Sequence, residues 1–199
     1  MYKTILYKMP LRNICLIGLP TAGKSTLGKK LFQHLNKGFI DTDNIIKTRY
    51  GLPLPELIKK HGEKEFLKME EKAILSLDHQ NVVLATGGSA IYSEKSMEHI
   101  RSHLRCDVYH LFITKQEFNK RMDNPANRGV IMNDYKDLNE MYNTRLRLYD
   151  DYADYIINAN RDINLDSFKP YEYWSQKNPM IMYVNKHKYG QSSYPCPPL

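Results

Sequence analysis

The chain has 199 residues, 42% of them hydrophobic and 26% charged, and carries a formal net charge of +7. That length is enough for one continuous core without metal or disulfide support, and the composition excludes a disordered chain. The basic residues are scattered rather than blocked, and Lys3, Lys8, Pro10 and Arg12 interrupt the first apolar stretch. Anionic small substrates are therefore expected in preference to nucleic acid, and neither a signal peptide nor a membrane span is expected.

Residues 13–17 form a short apolar run that opens into a glycine-bearing turn, and Leu27, Leu31 and Leu35 then recur at helical spacing over 24–35. The pattern predicts strand, loop, helix. A second strand is expected over 38–41, followed by helices over 42–50 and 54–61, stopped by Gly51 and Gly62. Residues 63–77 predict a longer helix with Phe66, Met69, Ala73 and Leu77 on one face. The run Asn-Val-Val-Leu-Ala at 81–85 reads as a buried parallel strand ending in Thr86-Gly87-Gly88.

Further on, 106–113 predicts a strand, 115–122 and 138–149 helices, and 155–157 a last short strand. Tyr149 and Tyr152 read as helix packing residues. The polar, turn-rich stretch 123–137 stands where a lid over a site would be placed, and no internal repeat is present. From Lys169 the composition shifts to Tyr, Pro, Ser and Asn, which reads as a peripheral tail over 169–199 with at most a short helix. Cys15, Cys106 and Cys196 are odd in number and lie in no zinc-binding spacing, so reduced thiols and a cytoplasmic location are expected. Strands alternating with helices define an α/β class with a central parallel sheet and helices on both faces.

Gly18-Leu19-Pro20-Thr21-Ala22-Gly23-Lys24-Ser25 matches the phosphate-binding pattern G-x-x-x-x-G-K-[ST] between a predicted strand and a predicted helix. The glycines let backbone N–H groups converge on phosphate oxygens, Lys24 reaches the β and γ oxygens, and Ser25 ligates Mg²⁺. Gly18, Thr21, Ala22, Gly23, Lys24, Ser25 and Thr26 are the candidate ATP contacts, and the fold class narrows to the three-layer sandwich of P-loop NTPases. Asp41-Thr42-Asp43 follows a strand expected to neighbour the first, which places both carboxylates near this loop. Either one also suits the N-cap of the following helix.

The series GLPTAGKST, DTDNIIKTRYG, GEKEFLKMEE, LATGGS, RMDNPANRGVI and TRLRLY resembles the shikimate kinase family in order and spacing over about residues 12–160. The resemblance implies an ATP-dependent kinase that phosphorylates the 3-hydroxyl of shikimate, a monomer within the cytoplasm, in a domain over 1–168. The substrate-binding segment would span about 41–70 and the lid about 121–136. It implies Lys24 and Ser25 as phosphate and magnesium contacts, Asp41 as a more distant magnesium ligand, and Asp43 as the group that orients or deprotonates the attacking hydroxyl. Gly87 and Gly88 match glycines whose N–H groups face substrate and the transferred phosphoryl. Arg121 and Arg128 match lid arginines, and Arg145 matches the arginine that grips the substrate carboxylate.

Four positions depart from the family pattern. Leu67 replaces the arginine that shares the carboxylate, with Lys64 three residues away as a weaker substitute; Ser89 replaces the third glycine; Lys47 stands at a glutamate position; Gly-Val-Ile follows Arg128. These changes lie on the acceptor side or in the lid. A different small hydroxy acid as acceptor, or a nucleotide-binding homologue without catalysis, are the alternative readings.

Overall fold

The computed structural model describes residues 12–122, 129–132, 134–168 and 183–184. Arg128, with the rest of 123–128 and residue 133 of the expected lid, and most of the expected tail lie outside the described residues. Six strands form one sheet in the order β2-β3-β1-β4-β5-β6: β1 Asn13–Ile17, β2 Gly38–Asp41, β3 Val82–Ala85, β4 Cys106–Phe112, β5 Tyr155–Asn158 and β6 Tyr183–Val184. The first five pair in parallel, with Leu16 opposite both Ala85 and Tyr109. Parallel neighbours require crossover connections. Helices α1 Lys24–Leu35, α2 Thr42–Tyr50, α3 Leu54–His61, α4 Glu63–Leu75, α5 Glu94–Glu98, α6 Lys115–Arg121 and α7 Leu138–Tyr152 supply them.

One expectation is corrected. The β2 strand does not neighbour β1, because β3 is inserted between them. All four residues of β3 are buried, whereas β2 begins on an exposed glycine and is nowhere fully buried. The more apolar strand takes the interior place and the shorter, wetter one the edge. Within the expected tail, β6 pairs antiparallel with β5 through Ile156 and Tyr183.

Residues 89–105, for which the sequence predicted no element, hold a 3-10 turn at Ala90–Tyr92, α5 and a π-helical turn at His99–His103. The main core surrounds β1, β3 and β4, with Cys15, Leu16, Ile17, Val83, Leu84 and Leu111 closed to solvent. A second apolar cluster of Ile46, Leu54, Leu57, Phe66, Ala73 and Ile131 ties α2, α3 and α4 to the expected lid stretch. The acceptor-side helices thus stand on an apolar base of their own, joined to the sheet edge through α2. Among the described residues no helix is long and apolar enough to cross a membrane.

Candidate active site

The phosphate loop leaves β1 at Gly18, whose φ of 144° is one that glycine tolerates. A Cβ there would lie 2.7 Å from the Leu111 carbonyl oxygen on β4, so the residue is fixed by space as well as by torsion. Thr21 and Gly23 are both left-handed, with φ 67° and 96°, and flank Ala22. A non-glycine residue held there stores strain of the kind found at ligand sites. The turn brings the chain to the N-terminus of α1, where unpaired N–H groups and the helix dipole favour an anion.

Lys24 is buried at the start of α1, and its Nζ donates to the carbonyl oxygens of Gly18 and Leu19 at 2.7 and 2.9 Å. Burial pushes its ammonium down to about 8, against the opposing pull of Asp43. Ser25 and Thr26, one and two residues further on, are exposed at the same helix end. Arg121, the last residue of α6, reaches back to this loop: it donates to the Thr21 carbonyl at 3.3 Å and to the Ala159 carbonyl at 3.1 Å, while Glu117 accepts from its Nε at 2.7 Å.

Asp41 ends β2 and caps α2, with Oδ1 accepting from the N–H groups of Asp43 and Asn44 at 3.0 and 3.4 Å. Among the described residues only this oxygen accepts a hydrogen bond, which leaves the other available. A serine hydroxyl and one carboxylate suit magnesium, which keeps several waters and takes its remaining ligands from phosphates. Ser25 and Asp41 fit that donor set. Asp43 is the second residue of α2, and its carboxyl is raised above the usual range by burial and by the charge of Asp41. Lys47, on the same helix, is exposed.

Gly87 follows β3 and is fixed by its neighbours. A Cβ on it would lie 2.0 Å from Glu70 Oε1 and 2.9 Å from Asp43 Oδ1, so two carboxyl groups converge on the face that glycine leaves open. Its N–H donates to Thr42 Oγ1 at 3.0 Å. The donor left for a substrate on this loop is therefore that of Gly88, whose carbonyl accepts from Tyr149 at 2.6 Å. Tyr149 is a packing residue, fully buried with its ring 5.0 Å from that of His110, and through this bond it also fixes the loop.

Glu70 is buried on α4 between Phe66 and Ala73. A glutamate four residues after Phe66, on the apolar stripe, was the available signal. Ser89 donates to its Oε2 at 2.7 Å, and Oε1 has no hydrogen-bond partner among the described residues. Ser89 is thus turned toward Glu70 rather than into open space. Burial pushes the Glu70 carboxyl from the usual 4.5 up to about 7, with the neighbouring Asp43 acting in the same direction.

An unfolded Glu70 ionises near 4.5 while the folded one keeps its proton to about 7. The folded chain then holds more protons between those values, and stability falls as pH rises through the window. Urea unfolding of wild type and Glu70→Gln is expected to show the wild type losing on the order of 3 kcal/mol relative to the variant between pH 5 and pH 8. Parallel pH slopes would show that Glu70 ionises as freely in the folded protein as in the unfolded one.

Arg145 is fully buried on α7, with Nε donating to the Tyr92 hydroxyl at 2.8 Å and Nη2 to the Ile131 carbonyl. Leu67 lines a cavity of about 110 Å³ together with Glu70, Ser89 and Tyr92, whereas Lys64 is exposed and is not among its walls. Among the described residues no group of three or more His, Cys, Asp or Glu side chains is placed to hold a metal by itself.

A parallel sheet carrying a phosphate loop, a lysine folded onto that loop and two aspartates at the next strand end defines a P-loop phosphotransferase. Comparison with known proteins makes this specific. The shikimate kinase family model matches residues 20–171, and the chain belongs to that family, whose members are ATP-dependent kinases acting on an alcohol group.

A shikimate kinase of Thiobacillus denitrificans is 34% identical over 152 residues, covering 75% of this chain and 82% of that protein. One from Mannheimia succiniciproducens is 38% identical over 149 residues, covering 72% and 83%. Among solved structures, shikimate kinase from Acinetobacter baumannii in complex with shikimate superposes with a TM-score of 0.66 at 29% identity, over 76% of this chain and 86% of that one. Shikimate kinase from Aquifex aeolicus gives 0.65 at 28% identity, over 75% and 88%.

Proposed function

We propose that the protein transfers the γ-phosphate of Mg·ATP to the 3-hydroxyl of shikimate. The observation that carries this reading is the convergence of the Asp43 carboxyl, the Gly87-Gly88 turn and the buried Lys24 at one end of the sheet. Membership of the family and likeness to a relative solved with shikimate support the choice of acceptor.

In this reading the loop from Gly18 to Thr26 cradles the phosphates, and Lys24 exchanges its two carbonyl partners for the β and γ oxygens. Ser25 and Asp41 would hold magnesium, which would supply positive charge against those oxygens. Asp43 accepts the proton of the attacking hydroxyl, a task that a carboxyl raised by burial performs better than an ordinary one. The Gly88 N–H and Arg145 orient the acceptor, the latter on its carboxylate. Arg121 beside Thr21, together with Arg128 from the lid, draws positive charge over the phosphates as the site closes.

Incubation with Mg·ATP and shikimate, beside quinate and other hydroxy acids, tests the acceptor. Phosphorus NMR is expected to show one phosphate ester, on the 3-hydroxyl of shikimate. Phosphorylation of quinate in preference to shikimate would contradict the assignment.

A further inference from the structure

Leu67 removes a cation from the acceptor side, and the protein nevertheless keeps a second set of donors there. Of the five N–H groups of Arg145, one is held by the Tyr92 hydroxyl and one by the Ile131 carbonyl, which leaves donors for an anion. The guanidinium also lies over the Tyr92 ring, 5.2 Å from its centroid. Its orientation is thus set by the tyrosine on two sides.

The Tyr92 and Tyr135 hydroxyls are 2.9 Å apart, so one of their two protons is spent between them. Tyr92 oxygen already accepts from Arg145. Whichever phenol donates to the other, one O–H remains without an acceptor among the described residues, next to a buried guanidinium. Burial pushes the Tyr92 phenol up to about 12, so at neutral pH it remains a donor. Tyr92 and Leu67, the position where the family pattern has arginine, line the same cavity.

We propose that the Tyr92–Tyr135 hydroxyl pair, held on Arg145, supplies the second hydrogen-bond donor to the acceptor's carboxylate, in place of the side chain that Leu67 lacks. This inference rests on the reading of the acceptor as a hydroxylated carboxylic acid. Tyr92 then determines specificity: a neutral phenol and one guanidinium select a monoanionic head group, while the ring keeps Arg145 in place. The Tyr92→Phe substitution preserves the ring and removes the hydroxyl.

The test measures KM and kcat with shikimate and with its methyl ester, in wild type, Tyr92→Phe and Tyr92→Phe/Leu67→Arg. The single variant is expected to raise KM for shikimate about 10-fold to 100-fold, the worth of one hydrogen bond to a charged group, with kcat within a few-fold and the ATP KM unchanged. The methyl ester is expected to distinguish wild type from the variant far less. Arginine at position 67 is expected to restore the KM for shikimate, which it would not do for damage to the fold.

An unchanged KM for shikimate in Tyr92→Phe, an equal loss with the methyl ester, or no restoration by Leu67→Arg overturns the proposal while the kinase reading stands. Wild type that turns over neither acceptor overturns both.

Discussion

Replacing Asp43 by asparagine is expected to lower kcat with shikimate by about 10² to 10⁴, the range attributable to positioned general-base catalysis, with the KM for ATP within a few-fold of wild type. Asparagine has nearly the same shape and keeps a hydrogen-bond acceptor but takes no proton. Among the described residues Lys24 is held by loop carbonyls and not by Asp43, so the ATP contacts are kept. The charge also matters to its surroundings, since Asp43 opposes the effect of burial on Lys24 and raises the Glu70 carboxyl. Its removal is therefore expected to lower the pH at which Glu70 ionises and the pH at which Lys24 loses its proton. A variant with wild-type kcat would remove Asp43 from the chemistry.

Gly87→Ala is expected to have the second large effect, through space alone. The new methyl would lie 2.0 Å from Glu70 Oε1 and 2.9 Å from Asp43 Oδ1. A long side chain end usually moves aside, but Glu70 is buried and its other oxygen is held by Ser89 at 2.7 Å. Overpacking of this kind costs about 1–3 kcal/mol, and for a chain of this size each kcal/mol lowers Tm by about 2–4 °C. Displacement of both carboxyls is expected to lower kcat/KM for the acceptor at least as steeply. Shortening the acid in Gly87→Ala/Glu70→Asp is expected to recover part of the stability, because the two positions touch and their effects do not add. Purely additive losses would show that the clash is relieved elsewhere.

The phosphate loop was legible because its function constrains every position: a turn at Gly18 that excludes a Cβ, left-handed torsions at Thr21 and Gly23, and a lysine that must enter the loop. The helices α1, α3 and α4 were legible from apolar spacing and from the glycines that punctuate them. Strand order was not, because the sequence order of β2 and β3 does not state which of them packs beside β1; their burial does. The turns after Ser89 are three to five residues long, too short to show a period, and the capping of Ser96 by Ser93 is a single local signal.

The acceptor side was half legible. Asp43 and Arg145 stand in recognisable motifs, whereas Tyr92 and Tyr135 are 43 residues apart and meet only because the stretch before α7 returns to the turn after Gly88. Gly87 was recognised, but as a donor; the structure gives its N–H to Thr42 and makes its missing side chain the constraint. Glu70 carried a legible signal in its position on a buried stripe. Its significance depends on Ser89 and Asp43, which no local pattern connects to it.

The most direct test is a coupled ADP-release assay with Mg·ATP and shikimate, run on wild type and Asp43→Asn. Shikimate-dependent ADP release in wild type that falls by at least 100-fold in the variant is the expected result, and would show a working acceptor site despite Leu67. Tight ATP binding with no shikimate-dependent ADP release in wild type would contradict it.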